Sequence, residues 1–573
     1  MNSHSTAHYF LEGLADLGIE YLFANLGTDH VSLIEELARW DQQGRAHPQV
    51  ILCPHENVAI HMAGGYAAIT GRGQAVLVHV DAGTANASMG MHNLFRARVP
   101  VLLLAGKSPY TLRGELPGSR DNYVHFVQDP YDIGSLVRPY VKWEYTLPSG
   151  VVTKEVLTRG YALMQSDPAG PVYLSLPRET LAEQWEESAI CAFPPARYGP
   201  VRAGGTGPDS ARRIAAQLLA AENPIAIASY LGRKPEAVAT LDALARECGI
   251  RVFESNPVYL NIARDSPCFA GFDAGAAMAG ADVGLLLDVD VPWLPKFVED
   301  NRAIRLVHVD VDAIKKDFPM WGFATDLRLQ ADCATVLDQV LEMVRAEADA
   351  GFRARVAERI AGWEGARQAR ARRIAAAAGL SGSAGAISAD FLCAMLNAVL
   401  SQDDIVINEA IRNTLPVLNQ IMRTRAQSYF GLSGGGLGFS GGMALGAKLA
   451  RPRSRVVQIV GDGGFHFSTP ASVYAVAQQY RLPVFTVVLD NGGWQAVKEA
   501  VLRVYPDGTA AATSAFQAVL EGQHRHFEQI ATAFGAYGEA VSEPEQVGAA
   551  IERCLAAVDA GRAAVLTVRV TPL

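Results

Sequence analysis

Two apolar runs in the C-terminal third of the chain end on side chains that suit a hard cation. "RVVQIV" leads into Gly461-Asp462-Gly463-Gly464, and "PVFTVVL" leads into Asp490-Asn491-Gly492-Gly493. A carboxylate oxygen and a carboxamide oxygen favour Mg²⁺ or Ca²⁺ over zinc. Two such ligands and a backbone carbonyl leave coordination positions open for phosphate oxygens. Gly461, Gly463 and Gly464 let the backbone come close to a ligand, and a helix start there favours negative charge. The chemistry indicated is a metal-bridged diphosphate. A helix-capping Asp and a turn Asn would explain either residue alone, but poorly explain both at the ends of consecutive strands.

Two further stretches carry candidate chemistry. "VILCPHENVAIHMAGGYAAITGRG" puts Glu56 just after a strand, at the start of a helix rich in small residues. An isolated Glu there would be favourable dipole placement. "YFGLSGGGLGFSGGMALGAKLA", residues 429 to 450, contains Gly436-Leu437-Gly438-Phe439-Ser440-Gly441, a literal GxGxxG. As a dinucleotide fingerprint it is weak, because no acid ends a second strand about twenty residues on.

The elements that must position these residues follow from periodicity. Thr469 is expected as an N-cap with Pro470 at the first helical position, "ASVYAVAQQY" continues that helix, and Leu482-Pro483 closes it. The unit is strand, turn, helix, strand, and a right-handed crossover makes the strands parallel. Asp462 and Asn491, 29 residues apart, then face one edge of the sheet, where ligands of open α/β sheets sit. Similar alternation runs through the N-terminal region ("YLFANLG", "QAVLVHV", "PVLLLAG", "PVYLSLP") and the middle ("NPIAIASYLG", "IRVFES", "ADVGLLLDVD", "AIRLVHVDVD"). The fold class expected is α/β, with three doubly wound domains and mainly parallel sheets. The boundaries expected are 1–186, a Pro- and Gly-rich linker 187–205, a middle domain 206–345, a helical linker 346–386 and a C-terminal domain 387–573. "QAVLVHVDAGTANASMG" and "RVVQIVGDGGFHFSTPA" share one form, a faint echo between the outer domains.

Composition narrows the partners. Apolar residues make up 49% and charged ones 19%, so sizeable cores can form. The formal net charge of -9, without a basic block, argues against nucleic acid. No apolar run reaches the roughly 20 residues of a membrane helix, so no membrane partner is expected. "MNSHSTAHYFLEGLADLGIE" lacks the pattern of a secretory signal. Seven scattered cysteines without metal spacing read as reduced thiols, and the expected location is cytoplasmic.

GDG, about two dozen residues, then a pair ending in Asn resembles the signature of thiamine diphosphate enzymes. Those usually carry Asn-Asn where this chain has Asp490-Asn491. The resemblance implies Asp462, Asn491 and the Gly493 carbonyl as metal ligands, with Mg²⁺ or a substituting Ca²⁺. It also implies cofactor contacts from Gly461, Gly463 and Gly464. Glu56 then looks like the acid that protonates the cofactor's aminopyrimidine. Leu437 props the cofactor in its V shape, and the Gly435 carbonyl accepts from the pyrimidine amino group. The outer domains become pyrimidine-binding and diphosphate-binding, and the middle one Rossmann-like. This order is similar to the decarboxylase, oxidase and acetolactate synthase group, and implies a homodimer or homotetramer that shares sites between subunits.

The implied activity is that of a lyase or transferase: decarboxylation of a small 2-oxo acid with carboligation to a carbonyl acceptor, as in acetolactate synthases. His79 in "VHVDAGTANASMG" matches the catalytic His of benzoylformate decarboxylases, although the second His of those enzymes has no counterpart and Phe272 stands in that region. Gln128 in "HFVQDPYD" resembles the active-site Gln of acetolactate synthases, and Thr28 in "NLGTDHV" lies where such enzymes meet the substrate carboxylate. Trp494 would lid the pocket. His92 and Asp81 read as packing or turn residues. FAD is not expected, because the middle domain lacks a phosphate-binding glycine fingerprint. A CoA or ADP site there would point to a 2-hydroxyacyl-CoA or oxalyl-CoA lyase. The resemblance is also compatible with a benzoylformate-type decarboxylase or a non-catalytic cofactor-binding subunit.

Overall fold

The apolar runs become strands buried on both faces, and a parallel sheet covered by helices is the arrangement that buries such runs. The computed structural model describes residues 3–299, 301–383, 385–520 and 525–572. Its framework is three six-stranded sheets whose neighbouring strands all run parallel.

The first sheet comprises β1 (Tyr21–Ala24), β2 (Gln49–Leu52), β3 (Gln74–Val78), β4 (Val101–Lys107), β5 (Glu144–Thr146) and β6 (Val172–Pro177), in the order β2-β1-β3-β4-β6-β5. The middle sheet comprises β7 (Ile225–Ala228), β8 (Arg251–Glu254), β9 (Phe269–Gly271), β10 (Val283–Leu287), β11 (Arg305–Asp310) and β12 (Leu327–Gln330), in the order β9-β8-β7-β10-β11-β12. That is the 3-2-1-4-5-6 order of dinucleotide-binding folds. The third sheet comprises β13 (Ile405–Glu409), β14 (Tyr429–Phe430), β15 (Val456–Gly461), β16 (Phe485–Asp490), β17 (Tyr537–Val541) and β18 (Ala564–Arg569), in the order β14-β13-β15-β16-β18-β17. The first and third sheets therefore share one strand order, which is the structural form of the echo between the outer regions.

In both outer sheets the chain winds one way from the first strand and then crosses back beside it. This reversal opens a crevice at the strands' carboxyl ends, between β1 and β3 and between β13 and β15. Thr28 and His79 follow the strands of the first crevice, and Glu409 and Asp462 sit at the second.

The segment expected as a helical linker, 346–386, carries the helices Ala350–Gly362 and Glu364–Ala378, and the helix Cys333–Glu347 precedes them. Asp349 restarts the chain by accepting a hydrogen bond from the Phe352 N–H at 2.6 Å. Residue 384 of the expected linker lies outside the described residues. Thr469 differs from expectation. It precedes the helix Pro470–Gln479, but its backbone is left-handed (φ 53°) and its hydroxyl donates to the Ser468 carbonyl at 2.6 Å, so it does not cap the helix. The run from β15 is already helical from Asp462 to Phe467, and Thr469 is the hinge between two helices.

Two helices join the outer sheets: α1 (Glu56–Thr70) and α3 (Ser440–Ala450), with α2 (Val80–Ala97) between them in sequence. Their crossing is made by glycines. A Cβ on Gly65 would lie 2.3 Å from the Met443 carbonyl oxygen, and one on Gly446 only 2.0 Å from that of Met62. Backbone therefore meets backbone, and neither side has a flexible side chain that could yield. Gly446→Ala should lower unfolding free energy by about 1–3 kcal/mol through overpacking. Gly362→Ala, where a Cβ meets nothing within 4 Å, should be neutral or slightly stabilising. Urea denaturation of the two variants checks the contrast.

Candidate active site

The residues selected by strand ends gather at the edge of the third sheet. Asp462 opens a short helix, α4 (Asp462–Phe467), directly after β15 and is buried. Its Oδ1 accepts from the Gly463 N–H at 2.9 Å, and its Oδ2 accepts from the N–H groups of Gly492 and Gly493 at 3.0 and 2.8 Å. The carboxylate thus ties the two strand ends together.

Asn491 points one atom of its amide at both the Gly493 carbonyl oxygen (2.8 Å) and Asp462 Oδ1 (3.2 Å). As nitrogen, that atom would donate to both. As oxygen, it completes a triad of acceptors that only a cation can hold. Oxygens at adjacent corners of a Mg²⁺ octahedron, with bonds of about 2.1 Å, stand about 3.0 Å apart. The two spacings bracket that value. Burial, and then the neighbouring Asp490 carboxylate, push Asp462 up to about 6. Gly493 holds its carbonyl in place from a left-handed backbone (φ 125°), and a Cβ there would be 2.4 Å from the Ala518 oxygen.

Asp490 is engaged elsewhere. Its carboxylate pairs with Arg525 and lies 3.7 Å from Arg569. The departure from Asn-Asn is therefore accommodated by a second chain segment. Trp494 is half-buried beside this loop. Its indole nitrogen would meet a Cβ on Gly463 at 3.1 Å, and its ring stands edge-on to Phe467 at 6.5 Å.

The loop before α3 is clamped from the first sheet's side. Asn93 on α2 donates from Nδ2 to the Gly436 carbonyl at 2.9 Å and accepts from the Gly436 N–H at 3.1 Å. The Gly435 N–H donates to His92 Nε2 at 3.0 Å, so His92 positions the loop and is more than packing. Below it, Glu409 at the end of β13 accepts from the N–H groups of Gly438 and Ser440 and from the Ser440 hydroxyl. Burial pushes Glu409 up to about 7, against those hydrogen bonds. Leu437 stands half-buried between the clamped residues 436 and 438.

Glu56 is the first residue of α1 and is buried. Its Oε2 accepts from Asn86 Nδ2 at 3.0 Å, and its Oε1 lies 3.2 Å from where a Gly83 Cβ would stand. The next residue, Asn57, donates to the carbonyls of Gly438 (3.1 Å) and Phe467 (3.3 Å). The start of α1, which carries Glu56, is thereby tied to the Leu437 loop and to the end of α4.

His79 is the N-cap of α2. Its Nδ1 is 2.5 Å from Asp29 Oδ1 and its Nε2 is 2.9 Å from Gln128 Oε1. The Asp29 hydrogen bond raises the His79 imidazole above its ordinary value, against burial. Thr28 Oγ1 lies 3.4 Å from His125 Nε2. Asp81 accepts from the Ala82 N–H at 2.8 Å, a turn role as expected. Among the described residues no hydrogen bond joins the His79 cluster to the oxygen triad, and Asn57 is the nearest link between the two sides.

Sequence reading missed Asp29, Asn93 and Glu409. Glu409 could have been found, because "DIVINEA" ends an apolar run on a carboxylate just as β15 does. Asn93 falls on the stripe 79, 83, 86, 90, 93 of α2, which has the spacing of one helix face.

Paired crevices in two parallel sheets of one strand order, one edged by Asp462, Asn491 and the Gly493 carbonyl and the other beside the buried Glu56, are the frame of a cofactor enzyme of the thiamine pyrophosphate class. Residues 4–135 match "Thiamine pyrophosphate enzyme, N-terminal TPP binding domain" and residues 414–568 match the C-terminal TPP binding domain. The chain belongs to this family, within its decarboxylase and acetolactate synthase group. It is 24% identical over 558 residues to a benzoylformate decarboxylase of Pseudomonas aeruginosa, covering 94% of each chain. It is also 24% identical over 573 residues to the acetolactate synthase isozyme 3 large subunit of Escherichia coli, covering 97% of this chain and 93% of that one. The solved thiamine diphosphate-dependent 4-hydroxybenzoylformate decarboxylase of Rhodococcus jostii RHA1 superposes with a TM-score of 0.79 at 21% identity, over 100% of both chains.

Asn93→Ala removes both bonds to Gly436. A stability loss of about 1–3 kcal/mol is expected in urea denaturation, since each neutral hydrogen bond contributes about 0.5–1.5 kcal/mol.

Proposed function

We propose that the chain decarboxylates a small 2-oxo acid and joins the remaining fragment to a second carbonyl compound, in the manner of acetolactate synthases. The observation that carries this reading is the convergence of Asp462 Oδ1, Asn491 and the Gly493 carbonyl beside a clamped Leu437 loop, with Glu56 held against that loop through Asn57. The donor set fits Mg²⁺ on a diphosphate: one carboxylate, one amide oxygen and one carbonyl, with the other positions left to phosphate and water. Thiamine diphosphate, when bound, supplies a nucleophilic carbon and an electron sink for breaking the bond to CO₂.

The protein's own contributions follow from position. Asp462, Asn491 and Gly493 hold the metal, with Gly461, Gly463 and Gly464 giving the diphosphate room. Glu56 is the acid-base group toward the cofactor, its carboxyl group held by Asn86 and packed against Gly83. Leu437 and the Gly435 carbonyl orient the cofactor, and Trp494 shields the metal loop from water. Thr28, His79 and Gln128 line the substrate side. Two copies of the chain sharing their sites would complete this arrangement. Tyr110, Leu112, Tyr123, Phe126, Val127 and Tyr131, exposed around Gln128, support a covering partner.

A benzoylformate-type decarboxylase is the second reading, favoured by His79. A protonated imidazole beside the cleft would deliver a proton to the new carbon centre in place of a second carbonyl. The middle sheet is read as structural, without FAD. Its carboxyl edge is filled by Asp310, which accepts from the Tyr230 hydroxyl at 2.6 and 2.5 Å and from Lys315 Nζ at 2.7 Å. Arg98 of the first sheet's side reaches Asp290 at 2.7 Å and Asp312 at 3.1 Å in the same cluster.

CO₂ release from pyruvate and phenylglyoxylate, with product identification, tests the function. Acetolactate or acetoin supports carboligation, an aldehyde alone supports the second reading, and no CO₂ from any 2-oxo acid contradicts both. Glu56→Gln should abolish turnover while cofactor binding persists in fluorescence titration. Asp462→Ala should lose Mg²⁺-dependent cofactor retention on gel filtration.

A further inference from the structure

We infer that Asp29 is a positioning residue for His79 and, through His79, sets which face of the Gln128 amide is presented to a substrate carboxylate. The inference rests on the 2-oxo acid reading of the site and deepens it.

Asp29 lies in the turn after β1 and is 1% exposed. It fits because β4 carries Gly106 beneath it, where a Cβ would collide with the carboxylate at 1.4 Å. Its Oδ1 faces His79 Nδ1 at 2.5 Å, and its Oδ2 faces His30 Nε2 at 3.2 Å and the Val80 N–H at 3.3 Å. Burial opposes its ionisation, but the His30 ring at 3.2 Å and the hydrogen bond with His79 hold it well below the usual carboxylate range. It is therefore an anion, and an anion only accepts.

Proton counting then fixes the rest of the chain. His79 Nδ1 must carry a hydrogen toward Asp29. Its Nε2 lies 2.9 Å from Gln128 Oε1, and a carboxamide oxygen also only accepts, so Nε2 carries a hydrogen too. With the amide in this orientation the ring is in its imidazolium form, which the contact with Asp29 favours. With Oε1 turned to His79, the Gln128 amide presents its NH₂ group, a donor, to the cleft. If His79 loses the Nε2 proton, the contact survives only by rotating the amide, which then presents oxygen to an anionic substrate. The backbone of Gln128 is held independently, through its carbonyl, by the Ser108 hydroxyl.

The other charged groups around the ring are few. Asp81 on the first turn of α2 adds to the rise of His79. His30 shares the Asp29 carboxylate. His125, near Thr28, is pushed down by burial and by Arg178, which pairs with Asp121. Asp29 is the one carboxylate in direct contact with the ring among the described residues.

Diethylpyrocarbonate acylates neutral imidazole, so its rate at His79 against pH, read by peptide mass spectrometry, reports the ring's titration without substrate. Asp29→Asn preserves the shape and removes the charge. The His79 midpoint should fall by at least a unit, about a tenfold loss of imidazolium at a given pH, and the pH at which kcat/KM declines should fall with it. Gln128→Glu leaves an acceptor for His79 but no donor for the cleft. The midpoint should rise, and KM for the 2-oxo acid should increase about tenfold or more with kcat less affected. An unmoved midpoint in Asp29→Asn, or an unchanged KM in Gln128→Glu, would overturn the inference. If Asp29→Asn does not fold, the wild-type midpoint decides it: a His79 midpoint at or below the ordinary imidazole value of about 6.5 would overturn the inference. If the wild type turns over no 2-oxo acid, the proposed function fails, while the labelling midpoints still decide the role of Asp29.

Discussion

The contact between α1 and α3 at Gly65, Gly442 and Gly446 is the constraint on which the rest of the molecule depends. Side chains at these points would force the helices apart, since the nearest neighbours of Gly65 and Gly446 are backbone atoms. With backbone against backbone, Asn57 at the start of α1 can reach the Gly438 and Phe467 carbonyls across the two sheets. The same approach brings α2 close enough for Asn93 and His92 to grip residues 435 and 436. Sheet topology opens a crevice in each outer sheet. The glycine crossing ties the two crevices together.

Charge completes the arrangement. The third-sheet edge gathers Asp462, Asp490, the Asn491 amide and the Gly493 carbonyl, while the first-sheet side gathers Asp29 and Glu56. Each carboxylate has its own solution. Asp490 is matched by Arg525, Asp29 by two histidines, and Glu56 by an amide donor. Asp462 has only backbone N–H groups and a neighbouring acid, and burial beside that acid raises it. This asymmetry sets the Asp462 edge apart from the side that carries Asp29 and Glu56.

Much of this was legible in the sequence. Apolar runs of strand length with turn residues between them specify a parallel sheet, and polar residues at their ends specify the ligand edge. The strand-end positions of Asp462 and Asn491 and the helix-start position of Glu56 were therefore readable, as was the shared form of the outer regions. Thr469 was misread because local propensity favours Thr as a cap, whereas the chain reverses there between two helices and the hydroxyl is turned to Ser468. Asp29 was passed over because nothing in "NLGTDHV" reveals that Gly106, far along the chain, leaves room for a buried carboxylate. The α2 stripe from His79 to Asn93 mixes Gly, Asn and His, so it reads as neither an apolar core face nor a charged surface. Only the position of α1 beside it gives the stripe meaning.

The central claim is that the third-sheet edge binds the cofactor's diphosphate through a divalent cation held by Asp462, Asn491 and Gly493. Its most direct test is a calorimetric titration of the metal-stripped protein with thiamine diphosphate, with and without Mg²⁺, alongside thiamine monophosphate. Binding of the diphosphate that requires Mg²⁺, with the monophosphate failing under either condition, is the predicted result. Tight binding of thiamine diphosphate in the presence of a chelator, or equal binding of the monophosphate, would contradict it.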